Sequence, residues 1–192
     1  MAHSPTDTGF RSKELRVAGF NGGELRTVGF KAGELRAVGY SAFELKDAGF
    51  SIFELRESGF GGQELCDGGY TVAELREAGF DAAALKAEKF GAKSLLAGFS
   101  PLELAAVGFT SSELYSGGVS VQQLRGLGFE LGGLKRDGLT ASELRLGGFA
   151  AKQLRGVGFT DAELRAGGYK PRQVEAVDGR GAKELRGAGF TA

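Results

Sequence analysis

The decapeptide Ser51-Ile-Phe-Glu-Leu-Arg-Glu-Ser-Gly-Phe60 contains the signals that decide the fold. We number its positions 1 to 10, from Ser51 to Phe60. Ser51 and Glu54 have the spacing of a capping box. In this motif the side chain of each of the two residues accepts a hydrogen bond from the backbone N–H of the other. Gly59 at position 9 is the residue type that ends a helix in the left-handed conformation. The decapeptide therefore predicts a helix of about seven residues and a glycine turn.

The same decapeptide recurs along almost the whole chain. The position-5 leucine repeats every ten residues from 15 to 95 and, after a one-residue deletion, from 104 to 164; Val174 and Leu185 close a series of 18 units. An aromatic residue follows at position 10 in most units, the exceptions being Val119, Leu139 and Arg180. Glycine precedes it in every unit except one, where Lys89 stands instead. The repeat thus accounts for most of the 34 glycines.

Capping and packing signals together predict an all-α fold. In this phase each leucine contacts the aromatic residue before it, as a hydrophobic staple, and the one after it, as a Schellman contact. Helices this short are marginal alone, so neighbouring repeats must hold them. We expect a solenoid of about 18 short helices over residues 10–192, after a flexible tail at 1–9, with irregular units near 89–100 and 170–181. The mostly small residues at position 8 predict a second interior column.

Two resemblances follow from this pattern. A large apolar residue every fifth position resembles the pentapeptide-repeat family, whose fold is a four-sided β-solenoid. That family has a small residue two places before each central leucine, whereas this chain has Lys13, Phe43 and Gln63 there, which favours the α interpretation. From Phe10 to Phe190 the tract also resembles tandem A-G-F-S-x-x-E-L-(K/R) arrays of protist and algal proteins. That resemblance implies an array of short helices and no particular activity.

Composition excludes several function classes. Lys plus Arg and Asp plus Glu number 24 each, so no basic excess favours nucleic acid. Cys66 and His3 are single, which leaves no disulfide framework and little for metal or histidine chemistry. The repeated glutamates share one environment, whereas paired acid–base catalysis needs two different ones. We therefore expect no enzyme, no cofactor, no metal site, no membrane span and, since no secretory signal is visible, an intracellular protein.

The expected function is a scaffold or structural subunit that contacts another protein. Two breaks in the pattern supply candidate contact residues. Leu96, Ala105 and Tyr115 replace the Lys or Arg of position 6 in three consecutive units, and Phe43 and Phe53 occupy the polar position 3 beside Ile52. Each set equally fits local packing. The alternative function is binding of a polyanion or lipid headgroup by the Arg/Lys column at position 6, which is basic in 13 units.

Overall fold

The computed structural model describes residues 8–178, and within that range it consists of short α-helices joined by tight turns, without a β-strand. One helix forms per repeat, which confirms the predicted all-α repeat solenoid. The seventeen described helices are α1 (Thr8–Val17), α2 (Gly22–Thr27), α3 (Ala32–Ala37), α4 (Ala42–Asp47), α5 (Ile52–Glu57), α6 (Gly62–Asp67), α7 (Val72–Glu77), α8 (Ala82–Ala87), α9 (Ala92–Leu95), α10 (Pro101–Ala106), α11 (Ser111–Ser116), α12 (Val121–Gly126), α13 (Leu131–Arg136), α14 (Ala141–Leu146), α15 (Ala151–Gly156), α16 (Asp161–Ala166) and α17 (Pro171–Asp178).

At the N-terminal side the fold differs from the expectation. Helix α1 begins at Thr8, inside the segment predicted as a tail, and runs through Arg11, where the pattern has an N-cap. Arginine lacks the short side-chain acceptor that stops a helix from extending backwards. The eighteenth unit, around Leu185, and the exception at Arg180 lie outside the described residues.

The caps explain where each helix starts. In α5 the Ser51 side chain accepts a hydrogen bond from the Glu54 backbone N–H at 3.3 Å, and Glu54 accepts one from the Ser51 N–H at 2.7 Å. Where position 1 holds Lys31 or Ala150, only the second bond forms, from the position-1 N–H to the side chain at position 4. The glutamate or glutamine is therefore the more general of the two capping groups.

The Schellman turn explains where each helix ends. The Phe60 N–H donates to the Leu55 carbonyl and the Gly59 N–H donates to the Arg56 carbonyl, as predicted. Gly59 has a φ of +88°. Lys89 stands at this position in the turn after α8 and adopts a φ of +67°, the only described non-glycine residue with a positive φ. A side chain in this conformation costs about 1–2 kcal/mol.

Helices pack mainly against the helix two repeats away. Helix α2 packs on α4, α3 on α5 and α4 on α6, and the same relation joins α12 with α14 and α14 with α16. The chain divides into two compact units, residues 1–90 with 97–99, and residues 91–96 with 100–192. The division falls in the nine-residue repeat Gly91–Phe99, whose helix α9 has four residues. The predicted irregular unit is thus the boundary between the two units.

The core consists of three columns. The position-5 leucines from Leu25 to Leu164 are fully buried, and the position-10 side chains are buried in most repeats, including the aliphatic exceptions Val119 and Leu139. Position 2, the first residue of each helix, is a third buried column, with Ala42, Ile52 and Val72 as examples. Position 8, the predicted small column, lies against position 2: a Cβ on Gly68 would come within 2.9 Å of the Ala42 Cβ.

Candidate functional site

The basic residue at position 6 is the centre of the contact between stacked helices. The Arg56 Nη1 donates a hydrogen bond to the carbonyl of Ala78 at 2.7 Å. Ala78 is the C-cap residue of α7, the helix two repeats later. The guanidinium also lies 5.2 Å from the centroid of the Phe80 ring. One side chain therefore satisfies a helix C-terminal carbonyl, places positive charge at the negative end of the helix, and covers an aromatic ring.

This arrangement recurs in both units. Arg26 donates to the Ala48 carbonyl and lies 4.7 Å from the Phe50 ring, and the Lys135 ammonium donates to Gly158 and lies 4.5 Å from the Phe159 ring. In the first unit the same cations reach a glutamate three repeats later: the distances are 3.8 Å for Arg16–Glu44, 3.9 Å for Arg26–Glu54 and 3.1 Å for Arg36–Glu64. These pairs are half-exposed and contribute little energy individually.

Contacts also run in the reverse direction, from a helix end to the start of the helix two repeats earlier. The Asp137 carboxylate at position 8 accepts hydrogen bonds from the Ser111 backbone N–H at 3.0 Å and from its hydroxyl at 2.6 Å. The Glu88 carboxylate likewise accepts from the Gln63 N–H at 2.9 Å. The first-turn N–H groups of a helix thus gain acceptors from a stacked neighbour, both in α6, where Gly61 supplies no side-chain cap, and in α11, which has its own capping box.

Tyrosine at position 10 adds a further bond between stacked repeats. The Tyr70 hydroxyl donates to the Phe50 carbonyl at 3.1 Å, and the Tyr169 hydroxyl donates to the Phe149 carbonyl at 2.5 Å. Burial raises the pKa of both phenols, which keeps them protonated as donors at neutral pH.

The charged columns therefore act first as internal connectors. Arg16, Arg26, Arg36, Lys46 and Arg56 each lie over the aromatic ring of the repeat two later. A free cationic face for a polyanion would require these groups to leave their ring partners, and all but Arg16 would also have to leave a carbonyl partner. Sequence reasoning considered pairing between the Glu and Arg columns but missed the carbonyl and ring contacts, which are 22 to 24 residues apart in sequence.

The capping glutamates predict how the stability of the protein depends on pH. The backbone N–H of the preceding N-cap residue donates to Glu44, Glu54, Glu74 and Glu163, and this bond holds the pKa of each carboxyl below its usual value of 4.5. A lowered pKa in the folded state means that the stabilisation is complete above the unfolded value and is lost as the pH falls through the folded value. We expect the urea midpoint to fall steadily below about pH 4.5.

A variant with Glu→Gln at these four positions is the matched control. Glutamine keeps the capping bond, as Gln123 does by accepting from the Ser120 N–H at 2.8 Å, and takes up no proton. We expect the variant to lose less stability than the wild type between pH 7 and pH 3. An equal loss in both proteins would show that the capping carboxylates do not cause the acid sensitivity.

The predicted contact residues at position 3 are on the surface, and Ile52 is not. Phe43 is 64% exposed and Phe53 is 55% exposed, on the consecutive helices α4 and α5, which pack together. Ile52 occupies the buried column at position 2 and is 9% exposed. The prediction of Ile52 as a surface contact is corrected, because the first residue of each helix points to the stacked neighbour.

A groove of about 510 Å³ adjoins Phe43. Its aromatic lining comprises Phe20, Tyr40 and Phe43, and its polar lining includes Arg16, Glu44 and Asp47. The glycines Gly22 and Gly23 line the groove from the neighbouring repeat and add no side-chain bulk. An aromatic-walled groove with charges at its edge is suited to a peptide or side chain that combines an apolar and a polar part.

The second predicted set lies in the second unit and is half-buried. Leu96, Ala105 and Tyr115 all have intermediate exposure. Leu96 ends α9, and its Cδ1 lies 2.9 Å from where a Cβ on Gly117 would be. Leu96 thus packs against the helix end two repeats later, which is the place that the position-6 cation reaches elsewhere.

No other chemistry stands out in the part of the chain that the structure describes. Burial raises the pKa of the half-buried Cys66 thiol, and Asp67 and Glu88 raise it further, which disfavours the reactive thiolate. Among residues 8–178 no group of His, Cys, Asp or Glu side chains is arranged to hold a metal ion. None of the described helices is long and apolar enough to cross a membrane.

Comparison with known proteins identifies the repeat. A family model described as a decapeptide repeat region matches three overlapping stretches, residues 4–72, 49–121 and 118–192. Together these cover nearly the whole chain, including the irregular repeat. No curated protein matches the sequence, and no solved structure matches it.

Proposed function

The chain belongs to the decapeptide repeat family, and from this premise we propose that it is a non-enzymatic scaffold that binds another protein through the exposed aromatic residues of its first unit. The observation that carries the proposal is the exposure of Phe43 and Phe53, the two aromatic residues at a position that is otherwise polar or small except for Leu102. Exposed aromatic residues bury a large apolar area when a partner covers them, and they commonly dominate binding energy.

The repeat architecture supports this proposal. Each repeat is connected to its neighbours by the position-5 leucine, the position-10 ring and the position-6 cation, so positions 3 and 7 stay free to vary without cost to the fold. Solenoids generally bind along surfaces built from such variable positions. A scaffold requires neither a cofactor nor a catalytic pair. The repeated glutamates have nearly the same surroundings, whereas acid–base catalysis needs two carboxylates in different ones.

Engagement of the cations favours the protein-binding proposal over the polyanion alternative. Arg26 and Arg56 each donate to a carbonyl and cover a ring, and a bound phosphate would compete with both contacts. The experiment below separates the alternatives, because binding through phosphate contacts weakens steeply with salt whereas binding through aromatic residues does not.

The test is affinity capture from the native cell extract with a Phe43→Ser/Phe53→Ser variant. We expect a partner that the wild type retains at high salt and that the variant loses by at least about tenfold. The matched control is Leu102→Ser/Leu146→Ser, which removes two comparably exposed side chains, 62% and 70%, from the second unit. Equal capture by all three proteins would contradict the proposal. In that case Leu96→Arg/Tyr115→Arg, which restores the position-6 pattern, is the next comparison.

A further inference from the structure

Acidic residues are concentrated on four consecutive helices of the first unit, α4 to α7. At position 7, the last residue of each helix, these helices carry Asp47, Glu57, Asp67 and Glu77. All four side chains are exposed, and position 7 is not acidic in any other repeat between residues 11 and 169. Residues 41–79 contain eight Asp or Glu and three Lys or Arg, although the whole chain has no net charge. This part of the surface is therefore strongly negative.

The fold does not account for these position-7 carboxylates. Negative charge at a helix C-terminus opposes the helix dipole, which favours cations there. Within residues 8–178 no Lys or Arg side chain lies within ion-pair distance of any of the four. Asp67 accepts a hydrogen bond from the Gln63 side chain at 3.1 Å, which is a contact on the solvent face of α6. The negative charge thus remains accessible to a partner.

Position 7 lies beside position 3 on the same face of each helix. Residues four apart on a helix are neighbours, and the hydrogen bond between Gln63 and Asp67 shows this contact in α6. In α4 both Phe43 and Asp47 line the groove of about 510 Å³. Glu57 has the same four-residue spacing from Phe53 in α5. Each exposed aromatic residue therefore has a carboxylate next to it on its own helix.

Stacking brings a second carboxylate close to each aromatic residue. Gly68, the C-cap residue that follows Asp67, lies against the start of α4: a Cβ on Gly68 would be 3.0 Å from the Phe43 nitrogen. The residue after Glu77 is likewise in contact with α5, because its carbonyl accepts the Arg56 hydrogen bond. Each exposed ring is therefore bordered by two acidic side chains, one from its own helix and one from the helix two repeats later.

The interior of the same unit shows which group a ring and a carboxylate bind together. The Arg36 guanidinium lies 4.8 Å from the centroid of the Phe60 ring, and its Nη2 lies 3.1 Å from the Glu64 carboxylate. Arg16 and Arg26 combine the same two kinds of contact. The ring face attracts the cation, and the carboxylate accepts a charge-assisted hydrogen bond from it.

We propose that the partner of the scaffold presents a basic segment, whose Arg or Lys side chains lie on the Phe43 and Phe53 rings with their charged ends against the position-7 carboxylates. This inference rests on the proposed function and adds to it the chemical class of the partner. An acidic segment would be repelled by the same carboxylates. A purely apolar segment would remove water from them without supplying a partner. Charge complementarity therefore selects the basic segment.

The experiment is selection from a phage-displayed library of random peptides, about 12 residues long, on the immobilised full chain. Such peptides extend to roughly 40 Å, enough to reach over more than one helix. We expect the recovered peptides to contain more Lys and Arg, relative to Asp and Glu, than the unselected library. Fluorescence anisotropy then measures their affinities. High salt should weaken binding about three- to fivefold, since salt screens the ion pairs but not the ring contacts.

Two variants with the same change in net charge locate the contact. The first neutralises the position-7 carboxylates, as Asp47→Asn/Glu57→Gln/Asp67→Asn/Glu77→Gln, and should bind the recovered peptides at least about tenfold more weakly. The matched control replaces with glutamine four capping glutamates of the second unit, Glu103, Glu113, Glu143 and Glu163. Glutamine keeps the capping bond, as Gln123 does. This control should change the affinity less than about twofold.

Recovered peptides without a basic excess would overturn the inference. So would equal losses in the two variants, or a library that yields no binding peptide. The proposed function has its own readout in the same assay, because Phe43→Ser/Phe53→Ser should lose the recovered peptides whatever their charge. Peptides that bind this variant as tightly as the wild type contradict the proposed function, whereas peptides that need both rings but are not basic contradict only the inference. Circular dichroism establishes that each variant is folded.

Discussion

Replacement of Leu55 by alanine is expected to lower the free energy of unfolding by about 3–5 kcal/mol. Leu55 is fully buried, and the close-packed surroundings of a buried leucine relax only partly when the side chain is removed. Six-residue helices gain little stability from their own hydrogen bonds, so each depends on this one buried leucine. Urea unfolding followed by circular dichroism at 222 nm measures the effect.

Leu146→Ala is the control for this prediction. Leu146 lies at position 7 of α14 and is 70% exposed, so its truncation should change the free energy of unfolding by less than about 0.5 kcal/mol. Comparable losses in the two variants would mean that the position-5 column is not the main core of the repeat.

Replacement of Gly167 by alanine is expected to destabilise the protein by about 1–3 kcal/mol. Gly167 ends α16 with an ordinary φ of −73°, so the backbone conformation does not require glycine. The packing does: an added Cβ would lie 2.7 Å from the Ala141 Cβ, 2.8 Å from the Ala141 carbonyl carbon and 2.9 Å from the Ser142 nitrogen. Two of these neighbours are backbone atoms, so α14 and α16 would have to move apart.

Gly156→Ala, in the same unit, should have the opposite effect. Gly156 is the last residue of α15, and an added Cβ there meets nothing within 4 Å. Alanine is favoured over glycine in a helix by up to about 1 kcal/mol, so this variant should be modestly more stable. The denaturant midpoints of the two single variants measure both effects, and midpoints that move in the same direction would contradict the packing argument.

The sequence is sufficient for the structure of one repeat. Capping boxes at Ser41 and Ser51, Schellman turns, and prolines at the first helical positions Pro101 and Pro171 all occur where predicted. These features depend only on residues a few places apart, where backbone geometry and side-chain chemistry permit few alternatives.

The relation between repeats was not predictable in the same way. In a strict ten-residue repeat, every arginine has aromatic residues 4, 14 and 24 positions later, and the periodic sequence gives no reason to choose among them. In the structure the cation lies over the ring 24 positions later, as Arg26 does over Phe50. A usable signal was present at position 2, where Gly, Ala, Ser and Val predominate, since the close approach of a stacked helix favours small residues there. That signal would have placed Ile52 in the core.

The candidate surface was predicted where it depends on single residues. Phe43 and Phe53 are exposed because position 3 faces solvent in almost every repeat. The exposure of Phe20 and Val28 was not predicted, because in the sequence these residues look like every other member of their columns. Their exposure follows from stacking on alternate helices, since within residues 8–178 no helix lies two repeats before theirs.

The same stacking sets the order in which the chain can fold. The described tertiary hydrogen bonds and ion pairs between stacked repeats, such as Tyr70 to Phe50 and Arg36 to Glu64, join residues 20 to 28 positions apart. Against a length of 192 residues this spacing gives a low relative contact order, about 0.1, which is typical of domains that fold in microseconds to milliseconds. Each repeat meets its partner after only two more have been synthesised. The array can therefore fold repeat by repeat during synthesis. Little apolar surface stays exposed until a distant segment of the chain is made.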